Sequence, residues 1–273
     1  MVVGGGLAGS EAAWQLAEAG LEVRLVEMRP ERRTPVHATD RLAELVCPNS
    51  LRGDSPTNAV GLLKREMEVL GSLVIRCARA AAVPAGGALA VDRARFAEAV
   101  TSAVVGHAGI TLERRELERF SELPTVIATG PLTSPSMHQE LAGLLGEGAL
   151  SFFDAVAPIV AADSLDLERL FRASRYDKGG ADHYLNAALD RDAYERFVAD
   201  LLSADKLPFR EFETEDISYF EGCLPIEVMA ERGIETLRYG PMKPVGLTDP
   251  ATGRRPWAVV QLRQDDLAAE HWN

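Results

Sequence analysis

The chain has 273 residues, of which 47% are hydrophobic and 26% charged. This is close to the average of globular proteins and excludes a disordered, collagen-like or coiled-coil protein. Its 29 basic and 41 acidic residues give a formal net charge of −12, which disfavours indiscriminate binding to nucleic acid. The acidic excess lies entirely in residues 81–273, because residues 1–80 carry equal numbers of basic and acidic side chains. Any bound anion is therefore expected in the first third of the chain.

The lack of an apparent targeting signal and the cysteine usage predict a protein of the cytoplasm. No apolar run approaches the ~20 residues of a membrane span, and the amino terminus lacks the basic and apolar regions of a secretory signal. The three cysteines, Cys47, Cys77 and Cys223, are widely spaced, which favours neither a disulfide framework nor a zinc site. We therefore expect no metal, no membrane association and a cytoplasmic location.

The start of the chain predicts a dinucleotide-binding turn. A short apolar strand precedes the Gly-x-Gly-x-x-Gly turn of residues 4–9, a helix follows over residues 7–19, and a second strand over residues 21–26 ends at Glu27. The glycines permit a tight turn, a close approach of backbone N–H groups to a pyrophosphate, and close packing of helix on strand. An acidic residue at position 27 is expected to bind the adenosine ribose hydroxyls, which favours FAD or NAD over NADP.

Further along the chain, capping signals predict helices and apolar runs predict strands. Ser55 followed by Pro56 predicts the start of a helix that ends at Gly71, and Asp92 is expected to cap a helix that ends at Gly106. The apolar run 125–129 is typical of a buried parallel strand. After about residue 150 we expect strands near residues 156–160, 184–185 and 257–262, and helices near residues 190–202 and 225–232.

The strand that ends in Ala128-Thr129-Gly130 decides between the two cofactors. Flavoproteins with two dinucleotide folds carry this sequence where the chain returns beside the FAD, which favours FAD over NAD. We predict an α/β fold: a Rossmann-like FAD-binding domain of this flavoprotein type in residues 1–145, with an inserted smaller α+β domain in residues 146–273. The residues expected to bind the cofactor are Gly4, Gly5, Gly6, Leu7, Ala8, Gly9, Glu27, Thr129 and Gly130.

Two cysteines carry both a structural and a catalytic interpretation. Cys47 lies in a loop rich in Pro, Asn, Ser and Gly, with Arg41 and Arg52 nearby to activate its thiol. Cys223 precedes a predicted helix start, where the helix dipole favours a thiolate, although neighbouring glutamates oppose it. Cys77, in an apolar run, is expected to fill the core. Among the histidines only His37, in a basic loop, is retained as a candidate.

Seven segments together resemble the folate- and FAD-dependent tRNA (uracil-5-)-methyltransferases, the TrmFO family. They are Gly4–Trp14, Glu27–Pro30, Cys47–Leu51, Pro84–Arg93, Ala128–Ser134, Tyr219–Glu227 and Tyr239–Leu247. In two respects the chain departs from the family: only three residues precede the glycine turn, and the carboxyl-terminal return to the FAD domain is missing. The chain is therefore expected to be a truncated form.

The resemblance implies a methyl transfer to C5 of the T-loop uridine of tRNA. Methylenetetrahydrofolate would donate the carbon and reduced FAD the electrons, with NAD(P)H regenerating the reduced flavin. Cys223 matches the nucleophile that attacks uracil C6, and Cys47 matches a second cysteine that assists near the flavin. Contacts to the tRNA are expected from four of the basic residues of the first third, Arg29, Arg52, Lys64 and Arg65.

Three alternatives are open at this point. A related flavoprotein that modifies the wobble uridine of tRNA also uses FAD and folate, but the segments around Cys47 and Cys223 argue against it. An NAD(P)H-dependent FAD oxidoreductase would need no RNA substrate. An inactive fragment would keep the fold alone. The basic residues are equally compatible with an ordinary solvated face, the usual place of scattered charges.

Overall fold

The structure is a computed structural model. It describes residues 1–34, 36–120, 123–145, 158–177, 183–205 and 225–273. The chain divides into two compact units, formed by residues 1–83 with 88–157 and by residues 84–87 with 158–273. The short segment 84–87 thus belongs to the second unit, whereas the sequence places it in the first domain.

The first unit is built on a parallel sheet. Four strands pair in the order β6-β2-β1-β7, and a smaller antiparallel sheet has the order β3-β5-β4. This arrangement confirms the predicted Rossmann-like fold. The elements are β1 (Val2–Val3), α1 (Leu7–Glu18), β2 (Val23–Glu27), β3 (Ser50–Gly53), α2 (Ala59–Val69), α3 (Leu73–Ala80), β4 (Ala82–Val83), β5 (Ala88–Val91), α4 (Arg93–Gly106), β6 (Ile110–Arg114), β7 (Val126–Ile127) and α5 (Pro135–Leu145).

Helix α1 packs on β1 and β2, and α4 packs on β6, through buried side chains at helical spacing. In α4, Phe96, Val100 and Val104 are each fully buried, at the i, i+4 and i+8 positions that the sequence predicted. Asp92 caps this helix, since its carboxylate accepts a hydrogen bond from the N–H of Arg95 at 3.0 Å. The capped, apolar helix fixes the position of the loop that precedes β3, as described below.

Two predicted elements differ in the structure. Helix α2 begins three residues after Pro56, because the Oδ1 of Asn58 accepts from the N–H of Gly61 at 2.7 Å, whereas the hydroxyl of Ser55 pairs with Thr57. The strand predicted at residues 125–129 is parallel but not buried. Val126 is 43% exposed, since β7 is an edge strand of the described sheet. Helices α3 and α5 were not predicted.

The second unit combines antiparallel strands with helices. Strands β11, β10 and β9 form one sheet in that order, and β12 pairs with β8. Asp190 caps α6 as predicted, accepting from the N–H of Ala193 at 2.8 Å. Of the strand predicted at 156–160, residues 156–157 lie outside the described residues. The elements are β8 (Val160–Ala161), β9 (Leu170–Arg172), β10 (Tyr184–Leu189), α6 (Arg191–Ser203), α7 (Ile226–Glu231), α8 (Thr236–Tyr239), β11 (Ala258–Arg263) and β12 (His271–Trp272).

Candidate dinucleotide site and cysteine loop

The parallel pairing of β1 with β7 brings the two glycine-containing segments together. Val3 pairs with Ile127, and the N–H of Ala128 donates to the carbonyl of Val3 at 2.8 Å. A Cβ at position 4 would lie 2.5 Å from the carbonyl oxygen of Ala128 and 2.9 Å from the Cα of Thr129. With a φ of +97°, this position requires glycine for its conformation as well.

The rest of the turn leaves a cradle for an anion in front of α1. A Cβ at position 9 would lie 1.8 Å from the carbonyl oxygen of Gly4, so the third glycine is what lets the helix pack on the turn. A Cβ at position 6 would meet nothing within 4 Å. Gly6 is the N-cap of α1 and offers no side-chain acceptor. The N–H groups of the first helical turn, from Leu7 and Ala8 onward, therefore remain for a phosphate group.

Glu27 lies beside this turn in a buried network of charges. Its Oε2 accepts from the N–H of Gly5 at 2.7 Å, and its Oε1 accepts from the backbone N–H and the Nε of Arg29 at 3.0 and 2.8 Å. The guanidinium of Arg29 also donates to Glu44 at 3.1 Å. Glu27 and Arg29 are only 4% and 2% exposed. Glu44 was not foreseen, since nothing in the sequence signals a partner fifteen residues beyond Arg29.

The ionisation of Glu27 depends on its partners. Burial raises the pKa of this carboxyl, but the hydrogen bonds and charge of Arg29, with the N–H of Gly5, outweigh burial and hold the pKa below its ordinary value of 4.5. The carboxylate is therefore ionised at neutral pH, and its stabilising contribution is lost only as the pH falls through this lowered pKa.

Replacing Arg29 with methionine should destabilise the first unit by about 3–5 kcal/mol, because a buried carboxylate loses its cation. Denaturant unfolding at pH 7 measures the effect. The difference from the native chain should narrow as the pH falls, because burial raises the pKa of Glu27 once Arg29 is absent, and protonation then removes the unpaired charge. Arg24→Met is the matched control, since Arg24 lies on β2, the strand that ends at Glu27, and its side chain is 49% exposed. Equal unfolding curves for both variants would contradict the prediction.

A cleft at the carboxyl end of the parallel sheet joins these groups. The glycine turn, Glu27 and Thr129 all line it, together with His37. Gly130, with a φ of +66°, begins the short 3₁₀ turn that follows. This is the edge of an open α/β sheet where nucleotides bind, and a cradle shaped by absent Cβ atoms fits a dinucleotide. Among the described residues, no three His, Cys, Asp or Glu side chains are placed to hold a metal ion.

Cys47 is exposed, and hydrogen bonds hold the backbone of its loop and of strand β3, which follows it. The Nη1 of Arg93 donates to the carbonyls of Leu45 and Cys47, both at 2.6 Å. The buried side chain of Asn49 donates to the carbonyl of Val91 at 2.9 Å. The Nζ of Lys64 donates to the carbonyl at position 53 at 2.9 Å. The sequence could not assign this clamp to Arg93, because its acceptors are backbone carbonyls that the chain brings close from more than 45 residues away.

Loss of this clamp should loosen the Cys47 loop. Arg93→Met is expected to raise amide hydrogen exchange in residues 45–49 at least tenfold, because charge-assisted hydrogen bonds contribute about 1.5–3 kcal/mol. Arg95→Met on the same helix is the control, as the side chain of Arg95 is 69% exposed and its ion pair with Asp92 is long, at 3.9 Å. Unchanged exchange in Arg93→Met would show that the loop is held by its other contacts alone.

Of the four basic residues predicted to contact RNA, two are buried and two are exposed. Arg29 is buried in the network with Glu27, and Lys64 is 4% exposed, with burial lowering its pKa. Both are engaged with internal acceptors, so their assignment to an RNA surface needs correction. Arg52 is exposed, in the left-handed region with a φ of +67°, and Arg65 is exposed beside Glu68 at 2.8 Å.

The remaining candidates are only partly described. Cys77 is buried as predicted, and burial raises the pKa of its thiol. His37 contacts Thr34 through its Nδ1 at 2.6 Å. Cys223 lies outside the described residues, and helix α7 begins three residues after it, at Ile226. No helix of the described ranges is long and apolar enough to cross a membrane.

A family profile described as "Glucose inhibited division protein A" matches residues 1–273. The chain belongs to this family. In fold, it is similar to GidA of Aquifex aeolicus, with a TM-score of 0.59 at 11% identity over 99% of this chain and 48% of that one.

Within the glucose inhibited division protein A family, curated relatives confirm the predicted resemblance. The chain is 59% identical over its whole length to methylenetetrahydrofolate–tRNA-(uracil-5-)-methyltransferase TrmFO of Anaeromyxobacter dehalogenans strain 2CP-1. It is 56% identical to the protein of the same name from Halalkalibacterium halodurans, again over its whole length. The chain spans 60% and 62% of the length of these two relatives.

Proposed function

We propose that the protein is a flavin- and folate-dependent tRNA methyltransferase that converts the T-loop uridine to 5-methyluridine. Methylenetetrahydrofolate is the carbon donor, NAD(P)H the source of electrons and FAD the bound cofactor. The observation that carries the proposal is identity above 55% with relatives of this name along the whole chain. A cytoplasmic location is part of this proposal, because tRNA is the proposed substrate.

The glycine turn and Glu27 support FAD as the cofactor. In the proposed complex, the N–H groups of Gly6, Leu7 and Ala8 at the start of α1 bind the pyrophosphate. Glu27 accepts hydrogen bonds from the adenosine ribose, and Thr129 and Gly130 lie beside the cofactor at the end of β7. When bound, the reduced flavin supplies the two electrons that convert a methylene group to methyl.

The cysteines supply the covalent part of the proposed reaction. Carbon C5 of uracil is too weak a nucleophile to attack a methylene donor unaided. A thiolate that adds to C6 turns C5 into the carbon of an enolate, which is nucleophilic. We assign this addition to Cys223, and an assisting role near the flavin to Cys47, whose loop is exposed and held by Arg93. Of the basic residues, Arg52 and Arg65 are retained as contacts to tRNA phosphates.

The experiment that tests the function follows the methylene carbon. The purified chain, with reduced FAD, is supplied with isotopically labelled methylenetetrahydrofolate and a T-arm hairpin RNA, and the nucleosides are analysed by mass spectrometry. Label is expected in 5-methyluridine, and only when both folate and the T-loop uridine are present. A hairpin with cytidine in place of that uridine is the control.

Two results would contradict the proposal. Oxidation of NAD(P)H by the flavin-loaded chain with no label in the RNA would favour an oxidoreductase without an RNA substrate. With full-length tRNA in place of the hairpin, label that enters the wobble-position uridine instead of the T-loop would favour the related tRNA-modifying flavoprotein.

A further inference from the structure

Residues 236–247 of the second unit form a turn-rich segment that buried side chains and hydrogen bonds to its backbone hold in place. Leu237 is fully buried, and Met242 is 3% exposed. The carbonyl of Met242 accepts from the N–H of Val259 in β11 at 2.9 Å. Arg175 donates to the carbonyls at positions 243 and 245 of the segment. The backbone is therefore fixed, and the side chains that point away from these anchors are presented at low cost in conformational entropy.

Tyr239 is the most prominent of the presented side chains, with 73% of its surface exposed. The guanidinium of Arg238 lies 4.9 Å from the centre of its ring. The same guanidinium lies 3.6 Å from the centre of the Trp257 ring and pairs with Glu235 at 2.9 Å. The guanidinium of Arg238 thus contacts the tyrosine ring, and most of the ring surface remains exposed to solvent.

A second exposed tyrosine lies at the other end of the segment. Tyr176 is 62% exposed, and its N–H donates to the carbonyl of Gly246 at 3.1 Å. Its ring lies close to this glycine, since a Cβ there would be 3.0 Å from the ring atoms Cγ and Cδ2. Lys243 lies between the two ends, is exposed, and forms no ion pair in the described part of the chain.

The charge of this segment is opposite to that of the region around it. Residues 236–247 carry two cations, Arg238 and Lys243, and no acidic residue, within the part of the chain that holds the entire acidic excess. The next exposed residues after Tyr239 in the segment are Gly240, Pro241 and Lys243, none of which has a large apolar side chain for a protein partner. Exposed aromatic rings beside cations are what single-stranded RNA requires, since bases stack on the rings and phosphates pair with the cations.

We propose that Tyr239, Lys243 and Tyr176 form a surface that binds unpaired nucleotides of the RNA substrate, with Tyr239 as a base-stacking platform. This surface rests on the proposed function, which supplies the RNA. It adds aromatic and basic contacts in the second unit, where sequence reasoning placed only the nucleophile Cys223.

The test measures binding of the full chain to a T-arm hairpin and to a duplex of the same stem without its loop. Tyr239→Ala is expected to weaken hairpin binding about tenfold, within the range reported for loss of one base–aromatic stack, and to leave duplex binding unchanged. Tyr239→Trp should retain the affinity. Lys243→Ala should lower the slope of log affinity against log salt by about 0.7–0.9, the value for one phosphate contact.

Matched controls come from the same unit. Leu167 is 58% exposed, and the side chain of Arg169 is 85% exposed, so Leu167→Ala and Arg169→Ala remove an exposed apolar and an exposed charged side chain elsewhere. Both should bind the hairpin as the native chain does. Circular dichroism confirms that each variant is folded.

Three results would overturn the inference. One is hairpin affinity that is equal in Tyr239→Ala and the native chain. A second is weaker binding of methylenetetrahydrofolate alone, with unchanged RNA affinity, which would assign the ring to folate. The third is a loss of self-association in the ultracentrifuge with unchanged RNA affinity, which would assign it to a protein interface. If the native chain binds the hairpin but does not methylate it, the proposed function fails while this surface stands.

Discussion

Gly9→Ala is expected to reduce the flavin content of the purified protein at least tenfold. The added methyl group would lie 1.8 Å from the carbonyl oxygen of Gly4 and 3.3 Å from the Cβ of Ala128. Since the obstacle at 1.8 Å is backbone, the helix or the turn must move, at a cost of about 1–3 kcal/mol or more. Either movement displaces the N–H groups that are proposed to bind the pyrophosphate, by a distance comparable with the narrow range of donor–acceptor distances in hydrogen bonds. The ratio of flavin to protein absorbance after gel filtration measures the loss.

Gly143→Ala in α5 is the control for this variant. A Cβ at position 143 meets nothing within 4 Å, and the position is helical, so alanine should be tolerated or slightly stabilising there. Flavin content should remain at the native level. If Gly9→Ala also retains its flavin, the glycine turn does not hold the cofactor, and the assignment of residues 4–9 is wrong.

Cys223→Ala is expected to abolish the covalent adduct that a 5-fluorouridine T-loop RNA forms with the enzyme. Once C5 has received the carbon unit, release of sulfur from C6 requires loss of a proton from C5, and because fluorine cannot leave as a proton does, the bond between sulfur and C6 persists. Cys77 is excluded as the nucleophile because it is buried, with a raised pKa. The adduct is detected as a band of reduced mobility on a denaturing gel, and its attachment site is identified by peptide mass. The variant should still bind flavin, which separates loss of the nucleophile from loss of fold.

Cys47→Ala is the matched variant for this experiment. It removes the exposed thiol of the clamped loop, and is expected to lower turnover while an adduct on Cys223 still forms. An adduct that persists in Cys223→Ala and disappears in Cys47→Ala would reverse the two assignments.

Local patterns were sufficient for the dinucleotide-binding half of the first unit. The glycine spacing, the apolar strands around it and Glu27 are close together in sequence, so a short window contains the strand, turn and helix that they specify. The cap at Asp92 and the apolar face of α4 could be predicted from the sequence in the same way. The start of α2 could not be predicted in this way, because Ser55-Pro56 and Asn58 are competing start signals. The side chain of Asn58 is the one that accepts a hydrogen bond from the N–H three residues later.

The sequence by itself determined the family, the fold class and the position of the glycine turn. Tertiary structure alone decided which charges are available, because burial depends on contacts between distant segments. Arg29 and Arg52 look alike in the sequence, yet the first is locked between Glu27 and Glu44 and the second is exposed. Likewise, Tyr239 becomes a presented ring only because Arg238 and the buried Met242 hold its segment in place. A pattern of residue types records what each side chain can do, and packing decides which of them face a ligand.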